Sequence, residues 1–126
     1  MEVPYVQVSV PWTETKRNRK AMTSAIFPQV CQQSGLPKPV AEHAFLFGRR
    51  YRFDWAWVEF KVALEQEGGV WTGGRHTRGK GFLSDMAKYN HAAALGWLVI
   101  RCTPDTLLSK DTLETIRQAI ATRKAA

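Results

Sequence analysis

Asp54, Glu65 and Glu67 stand in the stretch FDWAWVEFKVALEQE, among aromatic and aliphatic neighbours, in a chain whose formal net charge is +7. Carboxylates in apolar surroundings are costly unless a cation accompanies them. Side chains of a strand alternate between faces, so Glu65 and Glu67 share one face with Ala63, while Val62 and Leu64 take the other. A hairpin turning at residues 59–61 sets Asp54 near Glu65, and like charges placed opposite one another destabilise a sheet. Such a pair calls for a compensating cation, and oxygen-only carboxylate ligands suit Mg²⁺ or Mn²⁺ rather than zinc. Alternatively, all three acids lie on the wet face of a half-exposed sheet, with Arg52 neutralising Asp54.

The elements that must position these residues follow from periodicity and punctuation. Residues 5–10 alternate weakly, as a short strand closed by Pro11. Residues 13–34 are helix-like with Pro28 interrupting them, and Gly35, Pro37 and Pro39 stop and restart the chain. Residues 40–47 read as a helix, with Pro39 near its first turn and Gly48 just past its end. Tyr51, Phe53, Trp55 and Trp57 fall on every second position, an aromatic row on one face of a strand, with Arg52, Asp54 and Ala56 on the other. Residues 62–67 supply the second strand of the hairpin. Residues 68–81 hold six of the nine glycines and form a loop. Ser84 is placed to cap a helix running to about Leu95, with Gly96 as its C′ residue. WLVIRC, residues 97–102, is nearly all apolar, as in a strand buried on both faces. Residues 111–123 form a last helix with Leu113, Ile116 and Ile120 on one stripe. This order gives an α/β fold, a mixed sheet flanked by helices.

The chain has 126 residues, 44% apolar and 23% charged, a globular composition with enough length for one hydrophobic core, so one domain is expected. No apolar run approaches the ~18 residues of a membrane helix, and the N-terminal MEVPYVQVSVPW lacks the basic and apolar regions of a secretion signal. A cytoplasmic protein with no membrane partner is expected. Cys31 and Cys102 form no CxxC pair, and His43, His76 and His91 match no zinc spacing, so both cysteines read as reduced core thiols. The 18 Lys+Arg, against 11 Asp+Glu, are clustered: Lys16, Arg17, Arg19 and Lys20; Arg49, Arg50 and Arg52; and Arg75, Arg78 and Lys80. Two clusters have aromatic neighbours, which points to nucleic acid as partner. Charge that merely keeps a small surface soluble is the plainer alternative.

The segment GGRHTRGKGF nearly spells a phosphate-binding P-loop, but Gly81 stands where Ser or Thr must hold Mg²⁺, which argues against nucleotide hydrolysis. As a basic loop it can set Arg75, His76 and Arg78 against a DNA backbone, its glycines allowing close approach. His76 also has the ordinary pKa, about 6.5, of a general base. Trp71 beside it can stack on an unpaired base or pack on the sheet, and packing is the safer assignment.

Asp54, the triplet Glu65-Gln66-Glu67 opening a glycine-rich segment, Glu42 upstream and Lys88 on a downstream helix together resemble the PD-(D/E)XK nuclease superfamily. More narrowly, RRYRFDWAW…VALEQEGGVWTGGRHTRGKGFLSDMAKYNHAAALGWLVIR is similar to small phage or prophage endonucleases of the very-short-patch-repair type, over roughly residues 37–104. The resemblance implies an N-terminal extension (1–36), a catalytic core (37–126) with a restriction-endonuclease-like fold, and Mg²⁺- or Mn²⁺-dependent in-line hydrolysis of DNA phosphodiesters. It further implies that Asp54, Glu65 and the backbone carbonyl of Gln66 hold the metal, and that Glu67 binds a second ion or orients the attacking water. Glu42, on the first helix, would reach a water of the metal or lie on the surface as an ordinary glutamate. One departure stands out: the superfamily's usual lysine, two positions after the acid, is Glu67 here. Lys88, one turn after Asp85, either supplies that charge from the neighbouring helix or is a solvated helix residue.

Branched, nicked and mismatched DNA are all open as substrates, in phage recombination, repair or DNA processing within a bacterial host. A homodimer is open too, because a chain this small often needs two copies to cut both strands. The alternative function is a nucleic-acid-binding domain whose carboxylates are structural; it would bind DNA in a salt-sensitive way without cleaving it.

Overall fold

A computed structural model describes the chain over residues 16–68, 79 and 81–125. Its main elements are α1 (Lys16–Gln33), β1 (Val40–Ala44), β2 (Arg52–Trp57), β3 (Val62–Gln66), α2 (Phe82–Ala94), β4 (Leu98–Cys102) and α3 (Lys110–Ala125). The strands form a mixed α/β sheet in the order β1-β2-β3-β4, with β1/β2 and β2/β3 antiparallel and β3/β4 parallel. A parallel pair needs a crossover, and α2 lies in the one between β3 and β4. The strand expected over residues 5–10, Trp71 and the basic glycine-rich segment over 69–78 lie outside the described residues. Among the described residues no helix is long and apolar enough to cross a membrane.

Both sheet faces are covered, by different helices. On one face Trp55, Trp57, Val62, Leu64 and Cys102 pack with Phe27, Val30 and Cys31 of α1 and Leu113, Ile116 and Ile120 of α3. The expected stripe of the last helix is therefore its buried face. On the other face Phe53, Ala56 and Ala63 pack with Ala92 of α2 and with Trp97. Alanines at 56 and 63 leave room on this face for Ala92 and the Trp97 ring. Glycine ends two helices: Gly35 (φ +79) after α1 and Gly96 (φ +85) after α2 both take the left-handed conformation. After α2 the N–H groups of Gly96 and Trp97 bond back to Ala93 and Ala92, the paired arrangement that satisfies a helix's last carbonyls.

Several expectations need correction. Residues 40–47 are not a helix: Val40–Ala44 is the edge strand β1, laddered to β2 from Val40↔Ala56 to Ala44↔Arg52. Helix propensity is a weak prior, and here the ladder overrides it, helped by Phe45 stacking on Phe53 (centroids 4.1 Å) and Tyr51 (5.9 Å). Glu42 accordingly sits on a strand. Pro28 does not interrupt α1, which runs through it and forgoes one backbone hydrogen bond. Ser84 is inside α2 rather than capping it, since the helix begins at Phe82. β4 is a sheet edge with Leu98 and Arg101 exposed, not a strand buried on both faces.

The aromatic row is also split. Trp55 and Trp57 face α1 and α3, but Phe53 faces α2. Between Ala41↔Trp55 and His43↔Phe53, where Glu42 stands opposite Asp54, the alternation of faces reverses although the register is unchanged. Glu42 has φ +50, a left-handed conformation in a strand, and stands opposite the point of that reversal. Such a residue carries roughly 1 kcal/mol or more of strain. Glu42→Gly should therefore be neutral or stabilising by up to about 1 kcal/mol. Glu42→Val should destabilise by about 1 kcal/mol or more in spite of valine's strand preference. Urea denaturation of the three proteins checks this, and a valine variant as stable as the parent would remove the strain argument.

Candidate active site

The turn between β2 and β3 is a single 3-10 turn, Val58–Phe60, closed by Lys61 at φ +51. It sets the register Trp57↔Val62, Ala56↔Ala63 and Trp55↔Leu64, which carries Asp54 opposite Glu65. At that point side chains take over from the ladder. The Asp54 N–H donates to Glu65 Oε2 at 2.9 Å, and the Gln66 N–H donates to Asp54 Oδ2 at 2.7 Å. In an extended strand a residue's N–H and C=O face the same neighbour, so the Gln66 carbonyl is directed toward the Asp54 side of the sheet.

Glu65 is only 5% exposed, so it cannot be a wet-face residue. Arg52 is exposed and forms no ion pair with Asp54 among the described residues. The cation that meets the pair is Lys88 of α2, whose ammonium bonds Glu65 Oε1 and lies 5.9 Å from the Phe53 ring centroid and 5.6 Å from that of Tyr89. Lys88 is thus engaged with the site and not a solvated helix residue. Burial holds the Glu65 carboxyl above the ordinary glutamate range and the Asp54 charge adds to this, while Lys88 and the Asp54 N–H oppose it.

Glu67 leads to a different partner. Its Oε1 accepts from Arg101 Nε at 3.2 Å, and the Arg101 guanidinium lies 3.9 Å over the ring of Tyr89. Burial, then the charges of Glu65 and Glu67, push the Tyr89 phenol well above its usual range, so it stays protonated as a potential donor. Arg101 and Tyr89 were not legible as site residues. The available signal was that Arg101 is the lone charge in LVIRC, on the same strand face as Val99.

Asp54, Glu65 and Glu67 stand with Lys88 and Arg101 on this part of the sheet, three carboxylates against two cations. A locally acidic site in a basic protein favours a further cation. Among the described residues no three acidic, histidine or cysteine side chains converge as a ligand cluster. Two carboxylates and a main-chain carbonyl are nevertheless oxygen donors of the kind a hard divalent ion takes.

Glu42 is exposed on β1, and among the described residues its side chain forms no hydrogen bond or ion pair with Asp54 or Glu65. Arg49 and Arg50 are exposed at the β1–β2 turn, and Arg52 is exposed at the start of β2. Arg75, His76, Arg78 and Lys80 lie outside the described residues. Cys31 and Cys102 are free and buried, and burial pushes both thiols up to about 12, which suits core residues and not nucleophiles. No family model, curated protein or solved structure matches the chain.

Proposed function

We propose that this protein is a metal-dependent endonuclease that hydrolyses DNA phosphodiester bonds, with a restriction-endonuclease-like core. The observation that carries this reading is Glu65, a carboxylate buried on the sheet between Asp54 and Lys88. A domain that only bound phosphate would gain nothing from acids there, since they repel the ligand. Asp54, Glu65 and the Gln66 carbonyl would hold Mg²⁺ or Mn²⁺. Bound there, the ion supplies a Lewis acid for the phosphoryl group and lowers the pKa of its water.

The chain's own residues do the rest. Asp54 and Glu65 are kept in place by backbone N–H bonds, so the donor set is organised before any ion arrives. Lys88 brings an ammonium to the same carboxylate from the facing helix, and would stand in for the superfamily's usual lysine by offsetting charge developing on the phosphate. Arg49, Arg50 and Arg52, with Arg75, Arg78 and Lys80, would grip the DNA backbone; His76 or Glu67 are the other groups able to move the proton. Cutting both strands would take two copies of so small a chain.

The test is a cleavage screen over linear, branched, nicked and mismatched DNA. Cleavage with Mg²⁺ or Mn²⁺ that EDTA stops is the expected result. Salt-sensitive binding with no cleavage of any substrate would replace this reading with that of a binding domain whose carboxylates are structural.

A further inference from the structure

We propose that Arg101 is a phosphate-binding residue beside the carboxylate pair, with its guanidinium presented to a backbone phosphate of DNA. The inference takes its ligand from the nuclease reading but stands on its own geometry. Arg101 of β4 is the register partner of Glu65 of β3, so both project from the same face of the sheet, toward α2. Its Nε is held by Glu67 at 3.2 Å and its plane lies against Tyr89 at 3.9 Å. One edge and one face of the guanidinium are thereby fixed. Among the described residues neither Nη group donates to a protein acceptor, and none of them occupies the outer fork.

Stability does not account for this arrangement. The Arg101 and Glu67 side chains are 51% and 39% exposed, and ion pairs at such positions contribute little. Electrostatics supply a reason. Asp54, Glu65 and Glu67 repel a phosphate unless cations are fixed beside them, and Lys88 is bonded to Glu65. Arg101 is the remaining cation of that group, and its planar fork matches two phosphoryl oxygens as an ammonium cannot. Glu67 is the residue that fixes its aim.

The experiment measures binding of a short fluorescein-labelled DNA duplex by anisotropy across salt concentrations, with Ca²⁺ replacing Mg²⁺, for the parent, Arg101→Gln and Arg101→Lys. Arg101→Gln should bind about tenfold more weakly at low salt, and its plot of log affinity against log salt should be shallower by about one unit. Arg101→Lys should recover the slope but only part of the affinity. Thermal unfolding of both variants should stay within a few degrees of the parent, because the side chain is half exposed. An unchanged slope in Arg101→Gln would overturn the proposal and leave Arg101 as a partner of Glu67 alone. If the parent cleaves no DNA with Mg²⁺ yet the slope falls as expected, the nuclease reading fails and the phosphate site stands.

Discussion

Asp54→Asn should lower single-turnover DNA cleavage by about 10³-fold or more, the scale of losing a principal electrostatic group of an active site, while the protein remains folded. Asparagine keeps the size of the side chain and an oxygen that can accept the 2.7 Å bond from the Gln66 N–H, so the end of the hairpin is preserved. What it removes is one of the two charges opposed across β2 and β3. Weaker Mg²⁺ binding, measured by calorimetry, should accompany the lost activity. Asp54→Ala is the less clean variant, because it also strands the Gln66 N–H and should cost about 1–2 kcal/mol of stability. A near-normal cleavage rate in Asp54→Asn would sink the assignment of the carboxylate pair.

Lys88→Met should destabilise the protein by roughly 3 kcal/mol at pH 8, since it leaves the Glu65 charge buried without its partner. The two side chains are only 17% and 6% exposed, so solvent does little to screen the loss. The pH dependence has a definite sign. The Glu65 pKa is raised in the folded protein, so the stability contributed by its protonated form is complete below about 4.5 and is lost as pH rises through the raised value. Removing Lys88 removes its opposition and moves that value further up. The variant should therefore approach the parent's stability near pH 4.5 and fall behind it toward pH 8, as read by urea denaturation at both pH values.

Adding Glu65→Gln to Lys88→Met should recover most of the loss at pH 8. An equal loss at both pH values would show that only packing of the lysine stem against Phe53 and Tyr89 had been removed. In the nuclease assay Lys88→Ala should slow cleavage by about 10²-fold or more with little change in DNA affinity, and Lys88→Arg should rescue it in part. A near-normal rate would shift the proton to His76 or Glu67, where Glu67→Gln or His76→Ala would lose an inflection in the rate–pH profile.

Much of this arrangement was legible in the order of residues. The period-two pattern and a short polar break determined the β2–β3 hairpin, and with it the approach of Asp54 to Glu65, because backbone geometry makes strand faces and turn length nearly local properties. The stripe Leu113, Ile116 and Ile120 and the stop at Gly96 were local in the same way. Residues 40–47 were not. Their helix signals are weak, and only the ladder and the aromatic stack supplied by β2 decide that they are extended. The split of Phe53 from Trp55 likewise lies opposite a left-handed Glu42 on the neighbouring strand, and no pattern within β2 contains it. The partners of the acids were decided by tertiary structure alone. Lys88 and Arg101 lie 23 and 34 positions beyond Glu65 and Glu67 respectively, and they meet them because α2 and β4 fold back on the sheet. A charge's effect depends on what lies within a few ångströms of it, and sequence separation says nothing about that distance.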